Sequence, residues 1–365
     1  MRRLPPEWTP LRALEVVGSR PYTLFFESGG APGEASEWTL LAFDPLYRLV
    51  LRDGRLRRMD ASGTDRALDG HPLDALADAW PARIEGKGLA ADVPFISGLA
   101  GYLSYDLKDW IERYPSHAAR DLDFPDLSLR FHDVVWAWKR STGEGWVIST
   151  GLSGDEQDHG AATTRASRAA TRLAEQWSLF EREMDRAREP ARVPAVTPQV
   201  TSTFSRAGYE SMVARALEHI AAGDIYQVNL AQRFRVEPVP PALDVYRALR
   251  AIAPAPFLAF ASLPDGGIAS SSPERFFRVH GRTIETWPIK GTRPRGRTPE
   301  EDARFLAGLR ASAKDRAENV MIVDLERNDL GRVCETGSVH VPALCDVVSH
   351  SNVHHLESRV VGTLR

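Results

Sequence analysis

The sequence predicts an α+β protein whose sheet is mostly antiparallel. Two observations carry this. The first half is a succession of short apolar or alternating runs closed by Gly, Pro or Asp, the pattern of hairpins and meanders. The second half sets capped, apolar-periodic helices between further strands. No internal repeat or low-complexity block interrupts either half. At 365 residues the chain is too long for one ordinary core and suggests about two domains, or one large interleaved one.

In chain order, "YTLFFESGG", "WTLLAFDP", "YRLVLRDGRLRRM" with an Asp-Gly turn, "FISGLAGYLSYDL" and "DVVWAWKRSTGEGWVIST" with a Gly-Glu-Gly turn read as strands and hairpins. A long Ala/Arg/Glu helix is expected over about 161–188, closing an N-terminal region of residues 1–188. The proline-rich piece beginning at Glu189 is a linker candidate, taken as 189–204. Beyond it, in 205–365, "SRAGYESMVARALEHIAAG" is a helix with Ser205 as N-cap and Gly223 as its stop. "DIYQVNLAQRFRVE" alternates as a strand, "LDVYRALRAIAP" is a helix ended by proline, and 256–292 is a strand meander with turns at Asp265-Gly266 and His280-Gly281. A helix follows over about 300–331, broken once near Ser312, and strands run to the end.

Forty-six basic residues against forty-nine acidic ones leave a net charge of -3, so no global field draws the chain toward nucleic acid or an anionic membrane. Any anion it binds must be held by a local cluster. Cys334 and Cys345 form neither a disulfide framework nor a zinc set. The first ten residues lack the apolar run of a signal peptide, and no stretch approaches membrane-spanning length. The expectation is a soluble cytoplasmic protein.

Four groups could carry chemistry. Lys290 lies in "TWPIKGTRPRG", which cannot be a helix because Pro288 and Pro294 interrupt it; the plain reading is a basic surface loop. Glu274 in "SSPERF" opens the strand that leads toward Lys290. On a helical wheel Ala317, Val320, Met321 and Leu325 share an apolar face, with Glu318 at its edge and Asp324 near its middle. Acids so placed are costly unless paired or metal-bound; a Lys314–Glu318 pair and an Asp324–Arg327 contact are the simpler account. His354 and His355 sit in a strand-like run and must face opposite ways, so one at most reaches a given cavity.

"GDIYQVNLAQRF", "SSPERF", "PIKGTRPRG", "SAKDRAENVMIVDLERNDLGRV", "GSVHVPALCDV" and "VHHLES" resemble, in order and spacing, the chorismate-utilising enzymes, and most nearly their aminodeoxychorismate synthase component I group. "LFFESGG", "GLAGYLSYDL" and "FPDLSLRFHDVVWAWK" extend the resemblance more loosely into the first half. It implies two stacked, mostly antiparallel sheets flanked by helices, with chorismate and a magnesium ion (Mg2+) in a deep cleft. It makes Glu318 a magnesium ligand, Glu274 the general acid and His355 the active-site histidine. Gly291 and Thr292 meet the substrate; Gln227 and Asn229 line the same cavity.

Lys290 then acquires a role. The resemblance implies alanine at this point in anthranilate synthases and lysine in the aminodeoxychorismate enzymes, whose amine bonds transiently to the substrate ring. Isochorismate-forming relatives place a water-activating lysine where this chain has Gln227, which argues against water as nucleophile. An ammonium has no lone pair, so the amine must be uncharged to attack, and the acid must hold its proton to expel a hydroxyl. The implied reaction converts chorismate and ammonia to 4-amino-4-deoxychorismate for folate synthesis. The ammonia would come from a glutamine amidotransferase subunit.

"FFES" and "PAPF" match a stretch that binds tryptophan in relatives, which implies Glu27, Ser28, Pro256 and Phe257 as a second pocket. The family pattern continues beyond the last residues present here, with a substrate-binding arginine and further carboxylates. The expectation is therefore a C-terminally incomplete fold in which Glu318 is half of a metal site. An anthranilate synthase component I and a non-catalytic tryptophan- or amidotransferase-binding module are the alternatives.

Overall fold

The computed structural model describes residues 1–30, 37–79, 93–113, 115, 121–153, 162–183, 197–264 and 266–365. Every strand pairing among them is antiparallel, and helices flank the sheets, as the sequence predicts. A seven-stranded sheet runs in the order Arg2–Arg3, Gly145–Ser149, Val134–Lys139, Trp38–Ala42, Leu24–Glu27, Phe257–Leu263 and Gly266–Ser272. A five-stranded sheet holds Asp65–Ala67, Arg55–Asp60, Tyr47–Arg52, Leu127–His132 and Gly98–Leu103. The other five-stranded sheet joins Arg275–His280, Thr283–Trp287, Val353–Thr363 and Ile289–Pro294, with His340–Ser349 also paired to Val353–Thr363.

The seven-stranded sheet crosses the boundary expected at 189–204. Leu258 pairs with Glu27, and Ala259 with Phe26, so strands 230 residues apart in the chain share hydrogen bonds. Part of the presumed linker is itself a strand: Gln199–Ser202 pairs with Phe234–Glu237. Residues 189–196 of the linker and Asp265 of the expected hairpin lie outside the described residues. The strand expected from Asp224 shrinks to Phe234–Glu237, and 224–233 have no regular structure. Alternation alone does not hold a strand; it needs a neighbour, and the partner strand is four residues long.

The helix signals fare better. Ser205 caps Arg206–Ala222 by accepting from the Gly208 N–H, and Gly223 ends it in the left-handed conformation at φ 81°. The break near Ser312 is real: Pro299–Ala311 ends there, and the Ser312 hydroxyl caps Ala313–Val333 through the Asp315 N–H. The wheel for this second helix is overturned. Its buried residues are Asn319, Val323 and Leu330, whereas Val320 and Leu325 are exposed. Asn319 tips the balance because its amide finds partners inside, which no hydrophobicity pattern registers.

The core beneath the seven-stranded sheet is aromatic, with Trp8, Trp136, Trp177 and Phe180 in contact and the Trp136 and Phe180 rings 3.9 Å apart. The core under the C-terminal sheet is small: Ile284, Val323, Leu330, Cys334 and Val360. At roughly 1.5–3 kcal/mol per buried aliphatic side chain, polar contacts there carry proportionately more weight.

Candidate active site

The strand Ile289–Pro294 lies beside Val353–Thr363, with a register shift between Ile289 and Thr292. Lys290 and Gly291 fall in that irregularity. Lys290 is half-buried, and its Nζ donates to the Ile289 carbonyl at 2.9 Å. A Glu274 carboxylate oxygen accepts the Ile289 N–H at 2.8 Å. The acid and the amine, sixteen positions apart, thus converge on the two backbone groups of one residue. Gly291 has φ 86°, and a Cβ there would stand 2.9 Å from Asp315 Cβ, so only glycine fits.

His355 is 8% exposed and its Nδ1 lies 2.9 Å from Thr292 Oγ1. Burial pushes its pKa down, with the nearby His350 adding to the effect and a bond to the Gly291 backbone opposing it. The ring is therefore neutral at pH 7 and able to both donate and accept. His354 faces the other way, as alternation requires: its Nε2 meets Asp302 at 3.0 Å and its Nδ1 meets Ser349 Oγ at 2.7 Å. Of the predicted residues, Glu274, Lys290, Gly291, Thr292 and His355 form one contiguous group.

Glu318 stands on Ala313–Val333, half-buried, and accepts a long 3.4 Å bond from Gln227 Nε2. No ion pair joins it to Lys314 among the described residues, whereas the Asp324–Arg327 contact forms at 3.0 Å. Asn229 is exposed in the irregular stretch after Gln227. Among the described residues no group of three or more His, Cys, Asp or Glu side chains could hold a metal. One carboxylate is nonetheless compatible with magnesium, which keeps several waters and shares its shell with substrate oxygens.

Two carboxyls that sequence reasoning missed belong to the same region. Burial raises Glu326 to about 7, with Glu274 reinforcing the shift and Lys290 opposing it. Glu357, the cross-strand partner of Ile289, is likewise raised to about 7 by burial, against the pull of Arg359 and Arg275. Both arginines lie over the Trp287 ring, each 4.3 Å from its centre. Glu326 was findable, since it follows Glu318 by eight positions and so shares its helical stripe. Glu357 carried no signal until its neighbours in space were known.

Glu27 and Ser28 line a cavity of about 550 Å3 with Gly30, Arg140, Pro254, Leu258, Arg295 and His350. Glu27 already accepts from Arg250 at 2.6 and 2.7 Å and from the Tyr246 hydroxyl at 2.9 Å. The other expected wall is displaced: Pro254 and Leu258 line the cavity in place of Pro256 and Phe257. The Phe257 ring instead lies 5.2 Å from the Arg275 guanidinium. Strand alternation explains this, since Phe257 and Leu258 must point to opposite faces.

Residues 24–365 match the family described as chorismate binding enzyme. The chain is 39% identical over 289 residues to anthranilate synthase component 1 of Bacillus caldotenax, covering 76% of this chain and 56% of that protein. It is 34% identical over 354 residues to aminodeoxychorismate synthase component 1 of Salmonella typhimurium, covering 95% of this chain and 71% of the relative. In structure it resembles anthranilate synthase component I of Streptococcus pneumoniae, with a TM-score of 0.74 and 25% identity, over 92% of this chain and 71% of that one. The chain thus spans just over half of one curated relative and under three quarters of the other. No helix among the described residues is long and apolar enough to cross a membrane.

Proposed function

The chain belongs to the chorismate binding enzyme family, and from that premise we propose that it is an aminodeoxychorismate synthase component I, converting chorismate and ammonia to 4-amino-4-deoxychorismate. The observation that supports this reading over others in the family is the meeting of Glu274 and Lys290 at Ile289. An acid and an amine held by one residue's backbone can act on two positions of one ring.

The Lys290 amine attacks C2 of chorismate while Glu274 gives its proton to the C4 hydroxyl, which leaves as water as both ring double bonds shift by one position. Ammonia then bonds to C4, both double bonds return to their first positions, and the lysine amine is expelled from C2. The adduct nitrogen keeps both its protons as an ammonium and so departs as the neutral amine, and the proton shed by the new C4 amine restores Glu274. The pyruvyl ether is untouched, so the balance is chorismate plus ammonia to product plus water. Thr292 and the neutral His355 orient the substrate, and the open backbone at Gly291 admits its close approach. Glu318, with Gln227 beside it, would hold magnesium; when bound, that ion supplies positive charge opposite the ring carboxylate.

The ammonia is assigned to a glutamine amidotransferase partner, and tryptophan to the cavity at Glu27 and Ser28. A second reading, anthranilate synthesis, is favoured by the 39% identity to an anthranilate synthase component 1. Product analysis after incubation with chorismate, Mg2+ and an ammonium salt separates the two. A C4 amine with the pyruvyl group retained supports the first; 2-aminobenzoate with released pyruvate would replace it by the second.

A further inference from the structure

Between Glu318 and His355 lies a fully buried polar clip. Asn319 has no exposed surface; its Nδ2 donates to the Leu356 carbonyl at 3.2 Å, and its Oδ1 accepts from Ser358 Oγ at 2.5 Å. Ser358, equally buried, accepts the Cys345 N–H on its Oγ at 2.8 Å. That N–H belongs to a bulge: the register shifts between Ala343 and Asp346, and Cys345 has φ 57°. A bulge leaves a backbone donor without a ladder partner, and the Ser358 hydroxyl satisfies it. The Ser358 N–H in turn donates to the Pro288 carbonyl at 3.0 Å, at the root of the Lys290 segment.

We propose that Asn319 is a positioning residue for the candidate active site, fixing the helix that carries Glu318 against the strand that carries His355 and, through Ser358, against the Pro288–Lys290 segment. The inference rests on the chorismate reading for its functional consequence, though not for its geometry. Each bond leads to a residue next to a site residue: Asn319 follows Glu318, Leu356 follows His355, and Pro288 precedes Ile289, whose N–H and carbonyl meet Glu274 and Lys290. With so small an apolar core beneath this sheet, a shared amide and hydroxyl tie the helix to strands whose own register is set by their backbone ladder. Breaking either leaves buried donors and acceptors without partners, which costs more than a bond between exposed groups.

The test has two arms, run on Asn319→Leu, Ser358→Ala and the hydroxyl-retaining Ser358→Thr. The first is residue-resolved hydrogen exchange of the chain alone. Ile289 and Ser358 amides exchange roughly tenfold faster or more in Asn319→Leu and Ser358→Ala, return to the parent rate in Ser358→Thr, and leave Phe25 and Trp136 unchanged. The second is calorimetry with chorismate and Mg2+, where affinity falls roughly tenfold in Ser358→Ala and is restored in Ser358→Thr. Unchanged exchange at Ile289 and Ser358 in Ser358→Ala overturns the clip. Faster exchange with undiminished chorismate affinity overturns its positioning role and leaves a stabilising one. If the parent chain binds no chorismate, the chorismate reading falls and the exchange arm alone decides the clip.

Discussion

Glu274 and Lys290 are joined through Ile289: the carboxylate takes its N–H at 2.8 Å and the amine meets its carbonyl at 2.9 Å. Neither side chain needs the other to be placed, so either can be removed without collapsing the strand. Lys290→Ala is expected to abolish product formation while changing stability by no more than about 1 kcal/mol. Lys290→Arg should be as inactive, since a guanidinium keeps the charge and offers no nucleophile. Product assays and thermal melts of the two variants check this together.

Gly291→Ala should be the most damaging single-methyl change in the site. The left-handed φ of 86° costs an alanine about 1–2 kcal/mol, and the 2.9 Å approach to Asp315 Cβ adds a clash. The strand would have to move away from the helix, taking Thr292 from His355. Denaturant melts should show the loss of stability, and chorismate binding should weaken with it.

The two buried carboxyls make stability depend on pH in a defined direction. Glu326 and Glu357 release their protons at about 7 when folded, against an ordinary 4.5, so between those values the folded state holds protons that the unfolded chain has lost. Their contribution is full below pH 4.5 and drains away as pH rises through 7. Glu326→Gln and Glu357→Gln should therefore each stabilise the fold by about 1–2 kcal/mol at pH 8, solvent around the partly exposed groups screening the remainder, with no gain at pH 4. Melts at the two pH values measure it.

His132 works in the opposite sense. It is 1% exposed, and burial lowers its pKa to about 3, with Arg130 adding to the shift. The unfolded chain takes up a proton below 6.5 that the folded ring refuses. This group removes about 1.4 kcal/mol of stability per pH unit between 6.5 and 3. A His132→Leu variant should show a shallower acid limb in its pH–stability profile.

Much of the fold could be read from residue order because hairpins and caps are local. Asp53-Gly54, Gly223 and Ser312 each act on neighbours within a turn, and each behaves in the structure as its chemistry dictates. What could not be read depends on partners distant in the chain. The alternation of 224–233 lacked a strand to pair with. The apolar wheel of 317–325 was outweighed by one asparagine whose partners lie near residue 357. In the site, Lys290, Glu274, Thr292 and His355 carried recognisable motifs, while Glu326, Glu357 and Asn319 owe their character to burial. Phe257 and Leu258 show the limit most plainly: it is Leu258 that lines the cavity beside Glu27 and Ser28, and a period of two places Phe257 on the opposite face.

The most direct measurement is intact and peptide mass spectrometry of the chain mixed with chorismate and Mg2+ in the absence of ammonia. The account predicts a covalent adduct of one chorismate less one water, mapped to Lys290, that disappears when ammonia is added. Product formation with no adduct at Lys290, or an adduct that survives in Lys290→Ala, would contradict it.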